Sequence, residues 1–536
     1  MKRLYIAVLT LAVVLPVAAQ DTYESARLLG SDLNGTARYV GMGGAMEALG
    51  ADISTMSTNP AGIGLFRHSV ASVSFGFVSQ PNGEKFDGLG KTNLSFDQAG
   101  FVYSSRVSRR SFVNVGFNYH KSHNFDQLLA AANSLRHASL NGLSYHKADK
   151  ENVKYGGYYW DINNNGDVIG YEDETSPHRA QTFSQTDYLN MNSLNPEYDE
   201  GQNMYMGYNE ADYYLFNRAH RGWISDFDLN ISGNQSDRIY WGVTLGIHDV
   251  RYRGYSVYTE RLTNINDSNT GSDGIEDYVD YMDDRKIEGA GIDIKAGVIF
   301  RPVEDSPFRI GVSVSTPTWY ELTTTNDTYL NNDSEYGIED SWTSGESYDF
   351  RYFTPWKFCA SVGHTIGNNI ALGLSYEIAD YSSAANRILS GETNSNGYER
   401  SYSDKEMKYN TESSLKAVSL LKAGIEYKPD PSLALRFGYN YQSSAYEKNG
   451  KRDMMLDSPG VAYSSTADYV NWGDTHRLTF GFGYRVNGWN FDLAYQYNTT
   501  SGDFHPMQAY DAGQDTGVMK VRNKRHQMLL TLGYTF

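Results

Sequence analysis

A single cysteine, Cys359, stands among the 536 residues, so no intrachain disulfide is possible. Its alternating apolar neighbours Phe358, Ala360 and Val362 make it a packing residue. Past the N-terminus nothing approaches the roughly 18 consecutive apolar residues that a membrane helix needs. Positive charge is also scarce: 46 Lys and Arg against 64 Asp and Glu leave a net charge of −18. That balance excludes a nucleic-acid partner, because phosphate binding needs a basic surface. Much of the acid is gathered at 150–175 and 267–288, which read as solvated loops. There is no GxSxG element and no zinc helix, so no enzyme is expected.

What is present begins with a secretion signal. Lys2 and Arg3 are its basic start, Leu4 to Val17 its apolar core, and Val17-Ala18-Ala19 its small-residue cleavage site. Residues 1–19 are therefore expected to be removed, and with no cysteine after the core no lipoprotein anchor is expected. Hydrophobic residues make up 40% of the chain and the mean hydropathy is −0.54, values a transmembrane β-barrel shares with soluble proteins. The 43 Tyr and 14% aromatic content fit interfacial girdles, in which a ring is buried and its hydroxyl stays wet.

From Ser69 onward the chain alternates with period two. Strands are expected near 69–79, 94–105, 111–120, 223–231, 239–247, 289–301, 307–322, 346–366, 368–380, 414–428, 431–445, 474–486, 488–499 and 523–536. This gives an all-β fold, a transmembrane antiparallel β-barrel of about fourteen strands over 69–536. Periodicity does not say which face points outward. Tight connections such as Ser105–Arg110, Gly233–Arg238 and Val486–Gly488 alternate with long loops at 121–221, 251–288, 323–345, 381–413 and 444–473, expected to be extracellular. The last strand closes on Phe536, a terminal aromatic suited to the barrel assembly machinery.

Residues 20–68 precede the barrel and are expected to form a plug, or hatch, inside it. Within them Gly35–Phe66 is glycine-rich and nearly uncharged. It reads as a short β-like piece at Ala37–Val40, a small helix at Gly44–Leu49, and a turn on Asn59-Pro60-Ala61-Gly62. The residues expected to shape or gate this hatch are Gly41, Gly43, Gly44, Asn59, Pro60, Ala61 and Gly62.

GMGGA at 41–45, TNPAGIG at 58–64 and strand texts such as LLKAGIEYKPDPSLALRFGYNY at 420–441 resemble the FadL-type outer-membrane transporters of long-chain fatty acids and other hydrophobic compounds. The resemblance implies a fourteen-stranded barrel with an N-terminal hatch, set in outer-membrane lipid. It also implies diffusion-driven uptake of a hydrophobic small molecule, captured at the outer loops and released sideways through the wall. The loops here are longer and more acidic than that pattern, and the sequence does not place a wall opening. Other readings are a surface binding or adhesion barrel and a haem receptor using His120 and His123 at a wet strand end.

Two further groups stand out. Phe125, Leu128, Leu129, Ala132 and Leu135 share one face of an expected helix and, with Met204 and Met206, could receive an apolar ligand. In DINNNGDVIGYE, Asp161, Asn163, Asn165, Asp167 and Glu172 fall at the ligand spacing of a twelve-residue calcium loop, although no helix pair flanks it. No other cofactor is expected.

Overall fold

The computed structural model describes residues 20–149, 159–162, 168–172, 195–198, 204–267, 272–332, 341–395, 397–456, 458–462, 464 and 466–536. The plug carries helices α1 (Thr22–Ala26) and α2 (Ala37–Gly41) and 3-10 turns at Ile53–Ser57 and Pro60–Leu65. Strands β1 (Val70–Ser79), β2 (Thr92–Arg106), β3 (Phe112–Asn124) and β4 (Gln127–Ala138) follow, then helix α3 (Leu140–Asp149). Two small hairpins come next, β5 (Tyr159–Ile162) with β6 (Val168–Glu172) and β7 (Asn195–Tyr198) with β8 (Met204–Gly207). The long strands are β9 (Glu210–Gln235), β10 (Ile239–Asp267) and β11 (Ser272–Phe300). After them come β12 (Arg309–Ser315), β13 (Trp319–Asn332), β14 (Ser341–Phe353), β15 (Lys357–Ile366), β16 (Ile370–Asp380), β17 (Ala385–Thr393) and β18 (Glu399–Ser403). Helix α4 (Lys405–Ser414), β19 (Ala417–Asp430), β20 (Leu433–Gln442), helix α5 (Pro459–Ala462), β21 (Tyr469–Val486), β22 (Trp489–His505) and β23 (Met519–Thr535) complete the chain.

These strands close an antiparallel barrel of fourteen staves. Four staves are interrupted and continue in line, β3 into β4, β12 into β13, β14 into β15 and β16 into β17, while β23 pairs with β1 to shut the ring. Every one of the fourteen segments expected from alternation lies on a different stave. The burial pattern decides which face points outward. Phe227, Leu229 and Ile231 of β9, Trp241, Val243 and Ile247 of β10, and Phe480 and Phe482 of β21 are exposed on the outside. Their alternates Asp226, Asp228, Asn230, Thr244 and Thr479 are buried in the lumen. A soluble barrel has the reverse polarity, so this apolar outer belt faces lipid.

Several local expectations are corrected. Ala37–Gly41 is helix rather than strand, because Thr36 caps it by accepting from the amide of Tyr39. Gly44–Leu49 is a run of turns; Gly43 and Gly44 take φ of +63° and +79°, which an α-helix cannot use. Phe125–Leu135 is not a helix but lies mostly in β4, drawn into the sheet by the edge of β9. The span 251–288 is largely paired β10–β11 hairpin, and the outer parts of 121–221, 323–345 and 381–413 also carry strands. On β10 the lipid-facing residues end near Ile247, so the wall from Arg251 upward stands clear of the membrane.

Candidate functional site

Residues 20–66 run through the lumen, with α1 toward the long-loop rim and the Asn59-Pro60 turn toward the short-turn rim. The wall makes room for this backbone with inward glycines. A Cβ at Gly424 would lie 2.3 Å from the Met42 carbonyl oxygen, and one at Gly438 would lie 2.2 Å from the Gly43 nitrogen. Asn440 donates to the Gly43 carbonyl at 3.2 Å and Thr479 to that of Gly41 at 3.2 Å. Asn59 accepts from the Ala61 amide at 3.2 Å and donates to the Glu47 carbonyl at 3.0 Å, while Pro60 lies against Gly242. Of the seven expected hatch residues, Gly41, Gly43, Asn59, Pro60 and Ala61 lie against the wall, whereas Gly44 and Gly62 pack within the plug, against Tyr39 and Thr55. The wall glycines 373, 424, 438 and 481 were missed. Their signal was present as single glycines recurring on the inward phase of successive strands.

Charge clamps the plug as well. Glu47 meets Lys422 at 2.6 Å and accepts from Ser375 at 2.5 Å. Arg38 binds Glu426 at 3.1 Å, and Glu426 binds Arg436 at 2.7 Å. Nearer the long-loop rim Arg452 reaches Asp21 at 2.6 Å and Glu24 at 3.1 Å, and Arg285 also pairs with Glu24. Removing one partner of such a buried pair typically costs about 3–5 kcal/mol, so several together hold the plug firmly.

The wall itself has a seam. β2 pairs with β3 only from Gln98↔His120 to Arg106↔Phe112, whereas β1 follows β2 on to Ser79↔Thr92. Residues 92–97 therefore have no ladder partner on the β3 side among the described residues. The plug bonds to both sides of this gap, to the β3 backbone and to the Asp97 side chain of β2. The Asp32 amide donates to the Ser122 carbonyl at 2.7 Å, and the Asn124 amide donates to the Asp32 carboxylate at 2.8 Å. The Asn34 side-chain amide donates to Asp97 on β2 and to the Lys121 carbonyl on β3, both at 3.0 Å. Lys121 in turn donates to Ser95 at 2.8 Å. Just beyond, the stave breaks at Phe125–Asp126, opposite Gly222 with φ of +107°.

Above the plug lies a cavity of about 240 Å³, reached by Arg27 and Asp32 of the plug and by His123, Phe125, Arg218 and Arg477 of the wall. Asp32, Asn124 and Arg525 also line a small pocket shared with Asn34 and Asp97, so the cavity leads to the seam. In the other direction Val470 and Trp472 join it to an apolar roof that includes Leu129, Leu135, Phe216, Leu262, Met407, Met454 and Phe504. The roof encloses a small cavity of about 30 Å³ between Leu143, Phe216, Tyr258 and Met454.

The residues expected to capture ligand divide between these regions. Leu129 and Leu135 enter the roof, Phe125 packs edge-on against Tyr252 at the stave break, and Leu128 packs with Leu89 and Ala219. Ala132 is half-buried and joins none of these clusters. Met204 and Met206 lie on β8, with side chains outside the described residues. Of the calcium-loop residues, Asp161 and Glu172 fall on the facing strands β5 and β6, and Asn163, Asn165 and Asp167 lie outside the described residues. His120 is not at a wet strand end. It is buried in the lumen, 3.7 Å from Asp226 and 3.5 Å from Asp228. His123 lies 3.6 Å from Asp32.

No protein-family model matches the chain, and no curated protein matches it. Among solved structures it is similar to a Pseudomonas aeruginosa FadL homologue, at 12% identity over 97% of this chain and 99% of that one, with a TM-score of 0.48. It is also similar to the Ralstonia pickettii toluene transporter TbuX, at 12% identity over 94% and 99%, with a TM-score of 0.47. At such identities and scores these likenesses decide nothing about cargo. The class rests on the chain's own geometry: a closed fourteen-stave barrel of the outer-membrane kind, with a lipid-facing belt and a clamped internal plug.

Proposed function

We propose that the protein is a FadL-type channel for diffusion-driven uptake of hydrophobic small molecules across the outer membrane. A molecule enters at the apolar roof, passes into the cavity above the plug, and leaves sideways between β2 and β3 rather than down the axis. The observation that carries this reading is the β2–β3 edge without a backbone ladder, bridged only by side chains, Asn34 of the plug and the Lys121–Ser95 hydrogen bond, while the rest of the plug is held by buried ion pairs. Neutral molecules that partition into lipid gain from a lateral exit, because they never cross an aqueous gap. The plug motif's resemblance to FadL-type hatches agrees with it.

Asn34→Ala removes the plug's two hydrogen bonds across the seam and leaves only that of Lys121 to Ser95. In proteoliposomes it should raise entry of a neutral hydrophobic dye several-fold over the unaltered protein. Unchanged dye entry with correctly folded protein would count against the lateral route.

A further inference from the structure

The cavity above the plug has an excess of buried positive charge that the transport of neutral compounds does not explain. Four arginines face it: Arg27, Arg218, Arg477 and Arg525. Among the described residues only two carboxylates come within ion-pair distance of them, Asp468 against Arg218 and Asp32 at 3.9 Å from Arg525. Arg27 donates to the Tyr252 hydroxyl at 2.6 Å and Arg477 to the side-chain oxygens of Asn440 and Gln442 at 2.8 and 3.0 Å, all neutral acceptors. Arg477 is 5% exposed and its Nε has no hydrogen-bond partner. Burying a guanidinium without a counter-charge is costly, and a bound anion relieves that cost.

One side of the wall is aromatic. Tyr23 stacks on Tyr446 at 5.3 Å between ring centres and lies 4.9 Å from Tyr469, and all three rings face the cavity. Guanidiniums grip carboxylates through paired N–H donors, and flat rings suit a flat ligand. The polar lining and the limited volume do not suit an extended alkyl chain.

We propose that this cavity binds an aromatic carboxylate, with the carboxylate held by Arg477 and Arg27 and the ring against the tyrosine wall. The inference rests on the lumen being the transport path and adds to that path a subsite for cargo bearing an anionic group. The test is calorimetry on the full-length protein in lipid nanodiscs, with benzoate, its neutral counterpart benzamide, and the ringless anion acetate. Benzoate should bind saturably and at least ten-fold more tightly than either of the others. Arg477→Gln and Arg27→Gln should each weaken benzoate binding about ten-fold, with Arg477→Lys falling between. Benzamide or acetate binding as well as benzoate would overturn the proposal, and so would folded variants that bind benzoate normally. Hydrophobic dye entry separates the two readings. Dye entry without benzoate binding removes only this inference, and benzoate binding without dye entry removes the channel reading instead.

Discussion

Around the plug, Glu47 meets Lys422 and Arg38 shares Glu426 with Arg436, on a wall cut back to glycine at 373, 424, 438 and 481. At the long-loop rim the contacts are mainly apolar, Leu129, Leu262, Met407, Met454 and Phe504, with the buried carboxylates Glu260, Asp283, Asp404 and Asp468 beside them. The first region is specified by charge and close backbone approach, so it tolerates little movement. The second is held by non-directional apolar contact with adaptable methionines, which can part around a guest and close again. The two sets of contacts suit different tasks, a fixed stopper below and a yielding entrance above.

Breaking the charged region should have the largest effect. Lys422→Ala leaves Glu47 buried and unpaired and should cost about 3–5 kcal/mol. The readout is loss of the heat-resistant folded band in a gel-shift assay. Gly438→Val is the gentler break in the same region. Its side chain would overlap the Gly43 nitrogen and the Met42 carbonyl carbon, so the plug must shift, at about 1–3 kcal/mol, and ion conductance through the lumen should rise in planar bilayers. In the roof, Phe504→Ala should destabilise only the outer region, by about 3–5 kcal/mol locally, measured as faster hydrogen exchange there with exchange around the plug unchanged.

The smallest expected effect is a pH dependence confined to the roof. Glu260 stands well above the lipid-facing belt, where it accepts from the Leu140 amide at 3.0 Å and the Tyr281 hydroxyl at 2.9 Å. Burial pushes its carboxyl up from 4.5 to about 7 despite those hydrogen bonds. The folded roof therefore binds this proton more tightly than the unfolded chain does. Its contribution is fully present below about pH 4.5 and is lost as pH rises through 7. Roof protection in hydrogen exchange should fall across that range, and Glu260→Gln should flatten the profile.

The staves were legible because lipid on one side and a polar lumen on the other impose strict alternation, as in Ile239–Ile247. The plug's position was legible from its glycines and the Asn59-Pro60 turn. Its local structure was not, because five-residue helices such as α2 depend on a single cap and on the wall behind them. β4 read as a helix because Leu128, Leu129, Ala132 and Leu135 fit a period of 3.6, while the pairing that makes them strand lies about 80 residues away on β9. The seam and the arginine cavity were invisible for the same reason. Asn34, Asp97 and Lys121, like Arg27 and Arg477, meet only when the barrel closes.

The most direct measurement compares two covalent locks in a Cys359→Ser background. One joins Asp97→Cys to Lys121→Cys across the seam, and the other joins Thr58→Cys to Ser313→Cys between plug and wall, where Ser313 donates to the Thr58 carbonyl at 2.8 Å. With a short thiol cross-linker, the lateral route predicts that the seam lock lowers hydrophobic dye entry at least ten-fold while the plug lock leaves it unchanged. Dye entry that survives the seam lock and stops with the plug lock would contradict it.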